Sequence, residues 1–230
     1  MKPVFRILIA FSLILFGFQS HAQLLKKDLD QVYGLNPHLY NGKLYSGSYG
    51  QKVSGHQFLE GSSFKDGSAK VLGENYTDLQ LNYDIYLQKI ILKFETSTGA
   101  SSQIEIPQSH IQSFQMEGQF FQLFQENDST YKIYQLIGKP NHQILIYWYK
   151  KLVPITSTNQ FEYEFQDAKK EIFLLVKGKL NYIKNNKSLI KMTDSKDQHL
   201  LKKWIKTHHF KIYKAHQEEL LSLSQFLNSL

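Results

Sequence analysis

The sequence predicts a mainly β protein: an antiparallel sandwich or a strongly curved open sheet of about ten to twelve strands, followed by one or two short C-terminal helices. Two observations predict this class. Short stretches of alternating apolar and polar residues recur along residues 40–183, with turn residues between them. Beyond residue 192 the apolar spacing changes to the helical period.

The densest strand signal, residues 79–95, changes phase in its middle. Apolar residues occupy alternate positions up to Leu87 but take the opposite parity from Ile90 onward. A single strand with this pattern would turn part of its apolar face toward water, because successive side chains point to opposite faces. We therefore predict two antiparallel strands, with the chain reversal within residues 84–89.

Other strands are predicted on either side of tight turns. The predicted strand pairs are residues 110–116 with 119–124, residues 131–137 with 144–153, and residues 172–176 with 180–183. Residues 144–153 are apolar on both faces, which predicts an interior strand covered on both sides. Asn41-Gly42 predicts a further hairpin. The glycine-rich stretch 42–73 indicates turns and bulges, since it lacks the spacing of a phosphate-binding loop.

The C-terminal residues 193–230 read as a basic helical tail that packs on the β body, residues 23–192, within the same domain. Ser195 followed by Gln198 predicts a capping box at the start of the first helix. Leucines spaced along residues 215–230 predict a second helix that docks on an apolar surface.

The first 22 residues have the features of a cleaved signal peptide. Lys2 and Arg6 precede an uncharged apolar run, residues 7–18, and small residues around Ala22 form a cleavage site. An uncleaved anchor is the alternative, although the run is short for a membrane span. We therefore expect a periplasmic, outer-membrane-associated or secreted protein without a transmembrane span in the mature chain. The chain has no cysteine, so its stability must come from core packing.

The net charge of +7 is unevenly distributed. Residues 184–214 contain nine lysines and two aspartates, whereas residues 23–183 are neutral overall. Such a patch attracts anionic lipid head groups or acidic glycans, and nucleic acid is not expected outside the cytoplasm. Lys202, Lys203 and Lys206 are the candidates for contact with an anionic surface. The alternative interpretation is an ordinary solvated helix face.

Aromatic residues are the candidates for ligand binding, because the chain has 14 tyrosines and 16 phenylalanines. They would form a stacking platform for sugars or a groove for an acyl chain or peptide; the alternative is that they fill a β core. The candidate ligand-binding residues are Tyr40, Tyr45, Tyr49, His56, Tyr83 and Asp84. For Asp84, turn formation is preferred to an acid role because it falls at the predicted reversal.

No motif in the sequence predicts catalysis. Thiol chemistry is excluded, and neither a GxSxG elbow nor an HExxH frame is present. Glu162 and Glu164 lie two residues apart, which is typical of the wet face of a strand as well as of a carboxylate pair. The pair His208-His209 with His216 lacks the spacing of a metal site. We predict no catalytic residue, no metal and no cofactor.

The order of short motifs resembles a family of uncharacterised secreted proteins of Gram-negative bacteria. The motifs are Tyr40-Asn41-Gly42, Gly55-His56-Gln57-Phe58, Asn82-Tyr83-Asp84, Asp197-Gln198 and Phe226-Leu227-Asn228-Ser229-Leu230. The family has no assigned activity, so the resemblance implies an envelope protein and carries no catalytic residues.

Three functions remain open from the sequence. The leading hypothesis is a non-catalytic exported envelope protein that binds or assembles with an envelope protein or another envelope component. The second is a periplasmic carrier of a lipid or other apolar ligand in the concavity of the curved sheet. The third is a glycan-acting hydrolase that uses carboxylates such as Glu162 and Asp84.

Overall fold

The structure, a computed structural model, describes most of the chain beyond residue 35. The described residues are 36–47, 49–50, 52–96, 98–127, 130–156 and 160–230. The predicted signal peptide and most of the stretch that follows it lie outside these residues.

Fourteen strands and four helices are formed by the described residues. The strands are β1 Lys43–Leu44, β2 Val53–Ser54, β3 Lys65–Val71, β4 Glu74–Asp84, β5 Lys89–Glu95, β6 Ser101–Ile106, β7 Ile111–Met116, β8 Gln119–Asn127, β9 Thr130–Ile137, β10 Gln143–Tyr149, β11 Leu152–Pro154, β12 Tyr163–Phe165, β13 Lys169–Val176 and β14 Lys179–Tyr182. The helices are α1 Pro37–Tyr40, α2 Asn186–Met192, α3 Gln198–Thr207 and α4 Gln217–Asn228.

Eleven of the strands form one open antiparallel sheet, in the order β1-β6-β5-β4-β3-β7-β8-β9-β10-β13-β14. The small strands β11, β12 and β2 form a second sheet, in which β12 and β2 are parallel. The predicted fold class is confirmed in its open-sheet form. Three C-terminal helices are present instead of one or two, because α2 begins at Asn186, ahead of the predicted tail.

The predicted reversal within the densest strand signal is confirmed. Strand β4 ends at Asp84, β5 begins at Lys89, and these two residues are paired. Both parities of the pattern thus point to the same face, where Tyr83 lies opposite Ile90.

The main sheet is strongly curved around Tyr83. A bulge interrupts the pairing of β3 with β4 between Gly67 and Ala69, and a side chain at Gly67 would collide with the backbone of β7. The ring of Tyr83 on β4 contacts those of Phe114 on β7 and Phe121 on β8, with both centroid distances 5.6 Å. Strands β4 and β8 are separated by two others, so these contacts require a concave face.

The β4–β5 turn, residues 85–88, contacts the end of β10 that lies beyond its pairing with β9. These two strands pair only over residues 144–146 of β10. Beyond that point the Gln88 amide donates to the carbonyls of Ile85 at 2.7 Å and Trp148 at 2.9 Å, and accepts from the Tyr83 hydroxyl at 2.6 Å. Side-chain hydrogen bonds of Gln88 therefore join the β4–β5 turn to β10, while the sheet itself stays open.

The C-terminal half of the sheet is covered by helices. Ile146, Ile172 and Leu174 on the strands form one core cluster with Leu220 and Leu223 of α4. Leucines at helical spacing dock as the sequence predicts, since one face of α4 is apolar. Among the described residues, no helix is long and apolar enough to cross a membrane.

Three local predictions are wrong. Asn41-Gly42 is not a hairpin, because Gly42 lies against the backbone of Glu105 and β1 pairs with β6. Ser195 does not begin α3, which starts after Asp197 without a side-chain cap hydrogen bond, whereas α2 has a capping box at Asn185 and Ser188. Residues 144–153 form two strands in different sheets, β10 and β11, which separate at residues 150–151.

Candidate functional site

Tyr45 and Asp84, two of the candidate ligand-binding residues, meet in a hydrogen-bonded cluster with Gln57. The Tyr45 hydroxyl donates to Asp84 Oδ2 at 2.7 Å. The Gln57 amide donates to that hydroxyl at 2.8 Å and to the carbonyl of Gly47 at 2.9 Å. Gln57 was not singled out from the sequence, although it belongs to the Gly55–Phe58 motif. The cluster fastens the segment before β3 to the end of β4.

Asp84 acts as a turn residue in this cluster. Its Oδ1 accepts from the backbone N–H groups of Tyr86 at 3.0 Å and Leu87 at 2.8 Å. The side chain is fully buried, and this burial raises the pKa of its carboxyl, against the opposing effect of the hydrogen bonds from Leu87 and Tyr45. Both oxygens are engaged internally, so the carboxylate is placed to stabilise the turn.

Tyr49 and His56 lie close to the same cluster. The ring of Tyr49 packs edge-on against Tyr86 at 5.8 Å and Phe165 at 5.1 Å, and burial, followed by the charge of Asp84, raises its pKa to about 12. Lys150 donates to the carbonyl of His56 at 2.7 Å. Burial and then the lysine charge lower the pKa of the His56 imidazole.

Tyr40 and Tyr83 are positioned away from that cluster. Tyr40 packs edge-on against Phe94, with the ring centroids 4.9 Å apart. Tyr83 is fully buried in the concave core. The structure thus brings four of the six candidates to one side of the β4 end and places the other two in packing roles.

A cleft that the sequence did not predict lies where the two core clusters meet. It has a volume of about 260 Å³ and opens between the loop before β3, strands β8–β10, the start of β13 and the start of α4. Its lining residues are Leu59, Glu60, Gln119, Gln135, Ile146, Trp148, Ala168, Lys170, Ala215, His216, Gln217 and Leu220.

Three glutamine amides and an indole form a connected wall in this cleft. Trp148 Nε1 donates to Gln135 Oε1 at 2.7 Å, and Gln135 Nε2 donates to Gln119 Oε1 at 3.1 Å and Gln217 Oε1 at 2.9 Å. Gln135 is only 3% exposed, so both of its amide hydrogens are consumed inside the wall. The sequence contains one signal of this wall. Gln135 points to the same face of β9 as Ile133 and Ile137, so it is a polar residue on an otherwise apolar face.

Lys170 is the cation of the cleft. Its Nζ donates to the carbonyl of Ala215 at 2.7 Å and lies 5.7 Å from the centroid of the Trp148 ring. Burial lowers the pKa of this ammonium group, and the charge of Glu219 opposes that effect. Glu219 itself accepts from the backbone N–H of His216 at 2.8 Å, at the start of α4. Within the described residues no carboxylate forms an ion pair with Lys170.

The three candidate lysines of the tail form a lysine face, defined as Lys202, Lys203 and Lys206 on α3. All three side chains are exposed, on the side of the helix away from the buried Leu201. The spacing places them within about 100° of one another around the helix axis. All nine lysines of residues 184–214 are exposed, so the positive charge of the tail faces solvent.

The carboxylates and histidines considered from the sequence are at the surface. Glu162 is exposed and pairs with Lys52, and Glu164 is exposed two residues further along. His208 is engaged with the carbonyl of Trp204 through Nδ1 at 2.8 Å. No group of three or more acidic or histidine side chains suited to a metal ion occurs among the residues that the structure describes.

No protein-family model matches the chain, and neither the curated proteins nor the solved structures include a significant match to it.

Proposed function

We propose that this chain is an exported, non-catalytic protein of the bacterial envelope that attaches to an anionic membrane surface through the lysine face of α3. The observation that carries the proposal is the concentration of exposed lysines on the helical tail of an otherwise neutral body. Each lysine near an anionic lipid surface contributes about 1 kcal/mol to binding.

The placement of α3 supports this attachment because the helix is fixed to the core. Leu201 is buried among the residues of the helical core cluster. The ring of Trp204 lies 5.3 Å from that of Phe210 and 5.4 Å from that of Phe226. The lysines are therefore presented on a rigid element, and little ordering entropy opposes binding beyond that of the side chains themselves.

The described carboxylates support a non-catalytic role. Asp84 is engaged by Tyr45 and by its own turn, and Glu162 is an exposed ion-pair partner of Lys52. The concave face that an apolar carrier would use is filled around Tyr83 by aromatic rings. We therefore prefer the binding role to the carrier and hydrolase hypotheses.

Co-sedimentation with lipid vesicles tests the attachment. The purified protein is mixed with vesicles of phosphatidylglycerol and phosphatidylcholine, and the bound fraction is measured against lipid concentration. Lys202→Glu, Lys203→Glu and Lys206→Glu together should weaken binding to the anionic vesicles by about 100-fold or more, since at least three favourable charges are lost. Raising the salt concentration should weaken wild-type binding as well.

A control of equal charge change uses three exposed lysines of the body, Lys43, Lys70 and Lys151, each replaced by Glu. Its affinity should stay much closer to that of the wild type. Equal losses in both triple variants, or wild-type binding that is the same for the two lipids, would contradict attachment through the lysine face.

Export is tested separately by cell fractionation and N-terminal mass analysis in a Gram-negative host. The processed chain should begin at Gln23 and should be found in the periplasmic, envelope or secreted fraction. A chain that retains Met1 and stays in the cytoplasm would refute this part of the proposal.

A further inference from the structure

We propose that the cleft between Glu60 and the start of α4 binds a sugar that carries a carboxylate, such as a hexuronic acid unit of an envelope glycan. This site is separate from the lysine face, and the two proposals stand or fall independently.

The amide wall leaves hydrogen-bond donors for a ligand. Gln135 donates hydrogen bonds to the side-chain oxygens of Gln119 and Gln217, and these bonds fix the orientation of the two NH₂ groups. The NH₂ group of Gln119 donates one hydrogen bond to Glu60. Within the described residues the NH₂ group of Gln217 donates no hydrogen bond, so both of its hydrogens are available to a ligand. Fixed amide donors beside the carboxylate acceptor of Glu60 suit the hydroxyl groups of a sugar, because each hydroxyl both donates and accepts.

The indole of Trp148 supplies the apolar part of the cleft. Its N–H is engaged by Gln135, which holds the ring in one orientation, and the residue is partly exposed. Together with Leu59 and Ile146, the ring offers an apolar surface to the C–H groups of a pyranose. Sites of this kind combine an apolar wall with a few oriented polar groups, and the volume of about 260 Å³ limits the ligand to a small unit.

Lys170 selects for a carboxylate. One of its three N–H donors is used by Ala215, and the ammonium group is half-buried without an ion-pair partner among the described carboxylates. A ligand carboxylate would provide the missing partner, and partial burial strengthens such a pair relative to water. Glu60 and Glu219 nearby disfavour ligands with several negative charges, which argues for a single carboxylate per unit.

Titration of the purified protein with galacturonic acid and digalacturonic acid, followed by NMR and calorimetry, tests the site. Galactose and galactobiose are the neutral comparison, and glutamate tests for recognition of an amino acid instead. The acidic sugars should bind at least ten times more tightly than the neutral ones, and their resonance shifts should include the Trp148 indole N–H.

Variants of Lys170 assign the selectivity. Lys170→Met should remove the preference for the acidic sugar, whereas Lys170→Arg should keep most of it because the positive charge is retained. Lys169→Met is the matched control: it removes a neighbouring exposed lysine of the same strand and should leave binding unchanged. Gln217→Ala removes the NH₂ group offered to the ligand and the acceptor of one Gln135 amide hydrogen, and it should weaken all sugars several-fold.

Four results would overturn the proposal: no binding of either acidic sugar, equal binding of acidic and neutral sugars, tighter binding of glutamate, or equal effects of Lys170→Met and Lys169→Met. If Lys170→Met lowers stability, the Lys170→Arg and Gln217→Ala variants decide the question. None of these results bears on vesicle binding, which uses the exposed lysines of α3 and not Lys170 of β13.

Discussion

The N-terminal half of the main sheet packs against itself, whereas its C-terminal half packs against helices. In the first half, rings from β4, β7 and β8 fill the concavity, with Phe114 and Phe121 stacked at 4.7 Å. In the second half, the same face of β9, β10 and β13 is covered by α2, α3 and α4. The two cores meet at Trp148, which packs against both.

The two halves also differ in their polar side chains. Those of the first half stabilise the fold, whereas several of the second half can still bind a partner. In the first half, the buried side chains of Asn82 and Asp84 are satisfied by nearby backbone or side-chain partners. At the junction and on the helical half, Lys170, Gln217 and the lysine face can still donate hydrogen bonds or form ion pairs with a partner. The surfaces proposed here for a partner therefore include helical elements: the start of α4 at the cleft and the exposed lysines of α3.

The largest loss of stability should come from truncating Tyr83, the side chain at the centre of the concave core. Tyr83→Ala is expected to lower the free energy of unfolding by about 3–5 kcal/mol, because it leaves a cavity beside the stacked rings of Phe114 and Phe121. Urea denaturation measures the loss. Tyr131→Ala, at a position that is 47% exposed, is the control and should cost far less. Similar losses in the two variants would refute the self-packed core.

A comparable truncation in the helical half tests whether the halves form one cooperative unit. Leu223→Ala on α4 is expected to cost about 2–5 kcal/mol. Because Trp148 joins the two cores, the helical and the β signals in circular dichroism should disappear in a single transition. Loss of the helical signal at a lower temperature than the β signal would show that the halves are independent.

Removing one hydroxyl from the Tyr45 cluster should have a smaller effect. Tyr45→Phe keeps the ring but leaves Asp84 Oδ2 and an amide hydrogen of Gln57 without this partner. We expect a loss of about 1–3 kcal/mol, measured by thermal and urea unfolding. Tyr163→Phe, at an exposed hydroxyl, is the control. No difference between the variants would mean that the cluster does not fasten the segment to β4.

The carboxyl of Asp84 should leave a pH signature. Burial raises its folded-state pKa above the unfolded value, so the folded chain binds the proton more tightly. Its ionisation therefore costs stability as the pH rises from the unfolded pKa through the folded one, by at most about 1.4 kcal/mol per pH unit. Asp84→Asn should lack this slope, which is seen by comparing unfolding curves from pH 3 to pH 7. Parallel pH profiles of the wild type and the variant would contradict the assignment.

The smallest change in stability is expected on the lysine face. Each of Lys202→Glu, Lys203→Glu and Lys206→Glu should shift the free energy of unfolding by no more than about 0.5 kcal/mol, because the side chains are exposed and make no described ion pair. A loss above 2 kcal/mol for any of them would assign the lysines to the fold instead of to a surface contact.

The parts of the fold that depend on neighbouring residues were predictable from the sequence. The phase change near Asp84 located the β4–β5 reversal, because alternation is a property of one strand and its turn. The β13–β14 hairpin was signalled by Lys177-Gly178, whose φ angles of 50° and 76° are those of a tight hairpin turn.

Features that depend on distant residues were not predictable. Gly42 reads as a turn residue, yet its small size serves the close approach to Glu105, 63 positions away in the numbering. The start of α3 was misplaced because Ser195 and Asp197 are both acceptable helix-capping residues. The cleft was not predictable from the sequence, because its polar residues come from four separate parts of the chain: Glu60, Gln135, Lys170 and Gln217.

The contact of the β4–β5 turn with β10 has a consequence for the order of folding. The hairpin itself is local and can form within microseconds. Docking the hairpin requires Gln88 to reach the carbonyl of Trp148, 60 residues further along the chain. This carbonyl lies on β10 just beyond the residues that pair with β9. Forming that contact costs loop-closure entropy before the contact can stabilise the chain, so we expect the docking of the turn on β10 to limit the folding rate.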